Sequence, residues 1–256
     1  MHLAKLTAAT ILHRKVWVIW VVLLGTGAWI FPYLTPFEQD ITLIEPARAQ
    51  AAWMLLWLAA LTWGLFQGAG FGESLAKRGL GEYFASMGVS RLSQLMQIWA
   101  ACLAYILPLL LLALVICLVW TRPAHPEEAR MWTFTLLQYS LLFTLVFSSL
   151  LALVIGLATR IGAATAYLVG AGLALYGLYG VGFLDLLFEV QTNALLETLW
   201  TFSPHFHLGN LTDRLIFKSG HLAAGDFLQI TAYLSGLFLL HILISYLFFN
   251  PVRLRR

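Results

Sequence analysis

The sequence predicts an all-α integral membrane protein with six transmembrane helices. Three observations predict it. Of its 256 residues, 61% are hydrophobic and 11% charged, whereas a soluble domain carries about a quarter charged residues. The apolar residues fall into six blocks, each long enough for the roughly 20 residues that cross hydrocarbon as a helix. Lys and Arg are shared unevenly between the connecting segments. A soluble fold has no way to hide this much apolar surface; a bilayer does, because lipid replaces the core as the apolar solvent.

The blocks are 16–34, 51–71, 96–120, 131–159, 161–184 and 227–249. The fourth is long, which implies tilt or an extension beyond the bilayer. The first follows Lys5, Arg14 and Lys15, and an Ala47-Arg48-Ala49 triplet lies downstream. Its apolar stretch exceeds a signal-peptide core and the triplet lies far past its end, so a retained helix is expected. With the N-terminus inside, the inner segments hold Lys5, Arg14, Lys15, Lys77, Arg78, Arg91, Arg160, Arg253, Arg255 and Arg256. The outer ones hold Arg48, Arg122, Arg130, Arg214 and Lys218. Ten against five places both termini in the cytoplasm. A net charge of +3 gives no nucleic-acid footprint. Cys102 and Cys117 lie within one apolar run, where they read as small buried hydrophobes rather than a disulfide or metal pair.

Residues 1–15 place Leu3, Leu6 and Thr10 on one helical face with Ile11 beside them. The pattern suits an interfacial helix leading into the first span and, equally, a frayed terminus. The segments 35–50 and 121–130 are connectors, and the junction at Arg160 is so short that spans four and five form an antiparallel hairpin.

Two segments are richer. In 72–95, Gly79 and Gly81 loosen the chain, Gly88 stops it, and Leu80, Phe84 and Met87 form an apolar stripe, with Glu82, Ser86, Ser90 and Arg91 nearby. A short cytoplasmic helix of this kind either docks into a partner's groove or lies flat on headgroups. In 185–226, Asp185, Glu189, Asn193 and Glu197 recur at steps of four, opposite Leu187, Val190 and Ala194. On one helix they make a polar stripe, and Pro204 ends that helix. It either dips into the outer leaflet to line an exit or lies interfacially with a solvated face. The fifth block carries Gly162, Ala166, Gly170 and Ala174 at steps of four. Such a stripe lets two backbones approach closely in lipid, within the chain or between two copies.

His205 and His207 form an H-x-H, with His221 further on. Metal binding needs three or four converging ligands, so exposed or hydrogen-bonded histidines are expected and no metal site is assigned. His241 lies within the last block, with Ser245 one turn away; a structural role is favoured over a functional one. Gln138, Ser148 and Ser149 either line a path or bond across helices. No G-x-x-x-x-G-K-[ST] occurs, so no motif here cradles a nucleotide phosphate. The blocks carry almost no internal charge, unlike ion-coupled transporters.

The order of parts is specific: an N-terminal helix, two spans, a cytoplasmic helix ending in Val89-Ser90-Arg91, and three spans. Then come an amphipathic outer helix, Pro204, Asn210-Leu211-Thr212-Asp213, Gly225, a last span and a basic tail. It resembles the permease subunits of ABC-2 type transporters, also called type V exporters, and among them the branch related to copper-enzyme maturation permeases. The resemblance covers nearly the whole chain by topology. It implies a single permease domain in the bacterial cytoplasmic (inner) membrane, without enzymatic activity of its own and without a bound cofactor. ATP and Mg would sit on a separate cytoplasmic ATPase subunit, and a second permease chain would complete the pore. Glu73, Gly79, Glu82, Ser90 and Arg91 would fall in the ATPase contact. Spans one and five would meet across the dimer axis at the small-residue stripe. Asp185, Glu189, Asn193 and Glu197 would belong to an outer gate. Two alternatives remain open: a permease-like subunit that transmits ATP-driven motion to a periplasmic partner, and a membrane scaffold without an ATPase.

Overall fold

A computed structural model describes residues 2–34, 41–190 and 193–251. Its elements are helices, with no strand among the described residues. Six of them are long and apolar enough to cross a membrane: Val16–Tyr33, Glu45–Lys77, Arg91–Val119, Pro126–Ile161, Ala163–Leu184 and Ala224–Phe248.

Helix α1 (His2–Arg14) lies against the bundle, and the chain turns sharply at Lys15, whose φ is 53°. Span one is α2 (Val16–Ile30) with a 3-10 turn, Phe31–Leu34. Span two runs through α3 (Ile41–Ala59), a π-helical turn at Ala60–Gly64 and α4 (Leu65–Lys77). A short α5 (Leu80–Ser86) leads to α6 (Arg91–Val119), the third span. Helix α7 (Pro126–Ile161) is the fourth. The fifth comprises α8 (Ala163–Leu175), a second π-turn at Tyr176–Gly180 and α9 (Val181–Val190). Helices α10 (Ala194–Phe202) and α11 (Thr212–Ile216) precede α12 (Ala224–Phe248), the last span. The end of the bundle that carries α5 is called proximal, the other distal.

Hydropathy marks the lipid-facing stretch, not the helix ends. Span two starts earlier than residue 51, because Arg48 sits on α3 with its guanidinium 4.0 Å over the Trp29 ring and donating to Tyr33 Oη (2.9 Å). It also continues past residue 71 to Lys77, and α6 begins at Arg91 rather than 96. These extensions bury Leu75 and Gln94 against neighbouring helices. The connector between spans two and three therefore shrinks to Arg78–Ser90, and Glu73 lies on α4 rather than in a loop. The α1 face differs too. Leu3, Thr7 and Ile11 are buried while Leu6 is exposed. Tyr105 of α6 donates to the Ala8 carbonyl at 2.7 Å.

The core is organised around α7. At 1.5 Å per residue, its 36 residues span about 54 Å, well beyond a hydrocarbon core of about 30 Å. It packs against α4, α6, α8 and α12. The contact of span two rests on glycines four apart, Gly64 closing the π-turn and Gly68 and Gly72 on α4. A Cβ on Gly64 would stand 2.8 Å from the Phe147 ring, one on Gly68 2.5 Å from Leu151 Cδ1, and one on Gly72 2.5 Å from the Ile155 carbonyl oxygen. Gly156 does the same for α12, where a Cβ would collide with Ser245. In lipid, close approach of this kind is a principal source of helix association. Between α7 and α8 the chain reverses through Gly162 alone, at φ 87° and ψ 161°, a conformation open to glycine.

Two substitutions on α4 separate close packing from helix propensity. Gly72→Ala forces a methyl onto an α7 backbone oxygen that has no freedom to move, and a loss of ~1–3 kcal/mol is expected. Gly70→Ala meets nothing within 4 Å and is expected to be neutral or to gain a few tenths of a kcal/mol. Thermal unfolding midpoints in detergent should fall for the first and not for the second.

Candidate functional site

The sequence left the 185–226 segment either dipping into the outer leaflet or lying interfacially; in the structure its part beyond Pro204 re-enters the bundle. Helix α9 ends at Val190, and Asn193, in extended conformation, caps α10 by accepting from the Leu195 amide (3.0 Å). The polar stripe is thereby broken: Asp185 and Glu189 lie on α9, Asn193 is a cap, and Glu197 lies exposed on α10. The side chains of Asp185 and Glu189 fall outside the described residues. Helix α10 returns toward the second π-turn, where Ser203 Oγ and Tyr176 Oη are 2.6 Å apart.

Beyond Pro204 the chain sits between α7, α12 and the fifth span. Phe206 is fully buried, its ring 6.2 Å from that of His241, and fills the space left by Gly177. Gly209 abuts Val146 and Leu234. Val146 lies 20 residues (146 − 126) along α7, about 30 Å from its distal end. The segment thus reaches mid-bundle.

Polar groups at that depth need partners, and Tyr139 supplies them. Its hydroxyl accepts from Trp57 Nε1 (2.9 Å), donates to Asn210 Oδ1 (2.6 Å) and lies 2.7 Å from Thr212 Oγ1. Asn210 Oδ1 also accepts from the Thr212 amide (3.2 Å) and hydroxyl (2.6 Å). Trp53 stacks on the Tyr139 ring at 3.7 Å. One residue earlier on α7, Gln138 exchanges two hydrogen bonds with the Leu222 backbone. Gln138 is therefore a clamp across helices. So is Ser149, 2.6 Å from His241 Nδ1. His205 packs on Trp200 and Tyr233 with the His207 ring 5.4 Å from its own, and His221 lies apart on Phe134.

In front of this network lies a groove of about 770 Å³. Met54, Leu58 and Leu61 form one wall, Leu175 and Tyr179 the other, and Gln50, Asn210, Thr212 and Asp213 supply its polar lining. Spans two and five touch proximally, where Phe66 meets Tyr167 and Leu65 approaches Gly170. They part distally, and the π-turns lie beside the parting. Exposed Met54 and Tyr179 leave the groove open sideways, where lipid would stand. Its surface is mainly apolar with uncharged hydrogen-bonding groups and one carboxylate, a lining suited to holding an amphiphilic molecule.

No family model, curated protein or solved structure matches this chain.

The other sequence-predicted residues fall into two places. Ala166, Gly170 and Ala174 are buried, and a Cβ on Gly170 would overlap Val154. The small-residue stripe therefore faces α7 and α4 of the same chain. At the proximal end, Gly79 (φ 70°) joins α4 to α5, and Ser90 caps α6 by accepting from the Ser93 amide (3.2 Å). Glu82 and Arg91 are exposed, together with Tyr83 and Met87. Gly81 is not a flexible entry but an interior residue of α5, pressed on Pro251. Gln94, fully buried, donates to the Gly81 and Val89 carbonyls (3.3 and 3.1 Å). Sequence reading missed Tyr139, Trp57 and the α4 glycines. Only the glycines left a signal, their spacing of four.

Tyr139→Phe removes the hydroxyl but keeps the stacked ring. Trp57 Nε1 loses its acceptor, and Asn210 and Thr212 keep only their bonds to each other, which should cost ~1–3 kcal/mol, read as a lower unfolding midpoint. Gly170→Leu should disturb α8–α7 packing at least as much, since Val154 occupies the space; a variant with unaltered stability would refute the close approach.

Proposed function

We propose that the chain is the transmembrane permease subunit of an ATP-driven ABC-2 type exporter, working in the bacterial inner membrane as a dimer with a separate ATPase. The observation that carries this reading is the proximal platform. Helix α5 joins two membrane spans, is anchored through buried Gly81, Phe84 and Gln94, and turns Glu82, Tyr83, Met87 and Arg91 outward. Apolar and charged groups on one rigid exposed surface suit a protein partner. The sequence carries no phosphate-cradling loop of its own, so the driving nucleotide would sit on that partner. The distal groove, lying between spans two and five beside the re-entrant segment, would take the cargo. Because the small-residue stripe of α8 packs inward, a second permease chain would meet the opposite face of the fifth span, where Leu168 is 67% exposed and Gly172 has no neighbour within 4 Å.

The test is mild-detergent co-purification of the tagged chain from its native membrane. A stoichiometric protein with a P-loop is expected. Glu82→Ala with Arg91→Ala should lower its recovery at least about tenfold while the permease stays monodisperse and helical. Reproducible absence of an ATPase around a folded permease would favour the scaffold instead.

A further inference from the structure

We propose that the cleft between α1 and α4 is a binding site for the headgroup of an anionic phospholipid. The cleft has a volume of about 520 Å³, within the range of about 300–1,000 Å³ common for ligand pockets. Its rim carries Arg14, Lys77 and Arg78 against a single carboxylate, Glu73, which pairs with Lys77. Three cations against one anion leave a net positive cleft. Its floor is largely apolar, with Leu3, Phe71, Leu75 and Ile98 beside buried Thr7 and Gln67. A free anion would use only the rim. A phospholipid would use both, with phosphate against the cations and the glycerol region on the floor.

The depth fits. Arg14 closes α1, and the first span begins at Val16, so Arg14 marks the edge of the hydrocarbon. Its Nη1 donates to Oε1 of buried Gln67 at 3.2 Å, which holds the guanidinium at that level and sets the matching level on α4. From Gln67 to Arg78, 11 residues (78 − 67) rise about 16 Å. That covers and exceeds one headgroup layer, about 5–8 Å thick. Basic pockets between helices at this level favour anionic headgroups. Leu80, the first residue of α5, also lines the cleft, so an occupant touches the interfacial helix, the second span and the root of the platform together.

The full chain, purified in detergent, is incubated with equal amounts of phosphatidylglycerol and phosphatidylcholine of the same acyl composition. Native mass spectrometry then counts the lipid retained. Preferential retention of phosphatidylglycerol is expected, reduced about fivefold for each cation removed in Arg78→Gln and in Arg14→Gln with Arg78→Gln. Arg122→Gln, on the distal connector, should keep the wild-type preference. Should the double variant fail to fold, Arg78→Gln alone decides, since Arg78 is exposed and lies outside both helices. Equal retention of the two lipids by the wild-type chain, or an unchanged preference in Arg78→Gln, overturns the proposal. Displacement of phosphatidylglycerol by excess inorganic phosphate overturns the lipid assignment in favour of a free anion.

Discussion

The close contact between α4 and α7 is the constraint on which the rest of the bundle depends. Lipid offers apolar side chains the same environment on either side of an interface, so burial alone gives helices little reason to associate. Association has to come from atoms brought close enough for dispersion, and that distance is set by what projects between two backbones. Gly64, Gly68 and Gly72 remove the projection at three successive turns, and Phe147, Leu151 and Ile155 occupy the space. With α7 fixed to α4, its other faces receive α8 through Gly170 on Val154, α12 through Gly156 on Ser245, and the re-entrant segment through Gly209 on Val146. These four neighbours of α7, unlike α6, are each located by a glycine at the contact.

A second constraint follows from the medium. A chain that re-enters the bundle exposes backbone and side-chain polar groups where water is scarce, and each must find a partner within the protein. The stretch from Ser203 to Leu222 does so through a few residues. Tyr176 meets Ser203, Tyr139 meets Asn210 and Thr212, and Gln138 meets Leu222. All three partners lie on spans, so the segment is held by parts of the chain distant in sequence. The same Asn210 and Thr212 also line the groove. The polar character of the groove is thus a by-product of how the re-entrant chain is satisfied.

This also explains what was legible in the sequence. Six spans were readable because hydropathy over about 20 residues reports the thickness of hydrocarbon. The ends of spans two and three were not, because Leu75 and Gln94 are buried by neighbouring helices rather than by lipid, and local composition does not report that. The break at Asn193 was hidden because a four-residue polar period persists across it, while the cap itself depends on a single extended residue. Asn210 and Thr212 read as loop residues, since the partner that places them, Tyr139, is 71 residues away in sequence. The stripe on α8 was visible, but its orientation was not: spacing says that two backbones approach, and only the fold says whose.

The geometry also constrains how the two ends of the bundle are related. Helix α4 is continuous from the π-turn at Ala60–Gly64 to the root of α5, and the glycine contacts hold its length against α7. A push on α5 therefore cannot bend α4 freely. It must move α4 and α7 together or be taken up at an irregular point in the helix, and in span two that point is the π-turn, where the regular hydrogen-bond ladder is interrupted. The fifth span has its own π-turn at Tyr176–Gly180, beside the same groove. The proximal halves of the two spans are locked by close packing, while their distal halves are separated by open volume. On the proposed function, the compliant points lie at the boundary between the locked and open halves, where a change at the platform would alter the width of the groove.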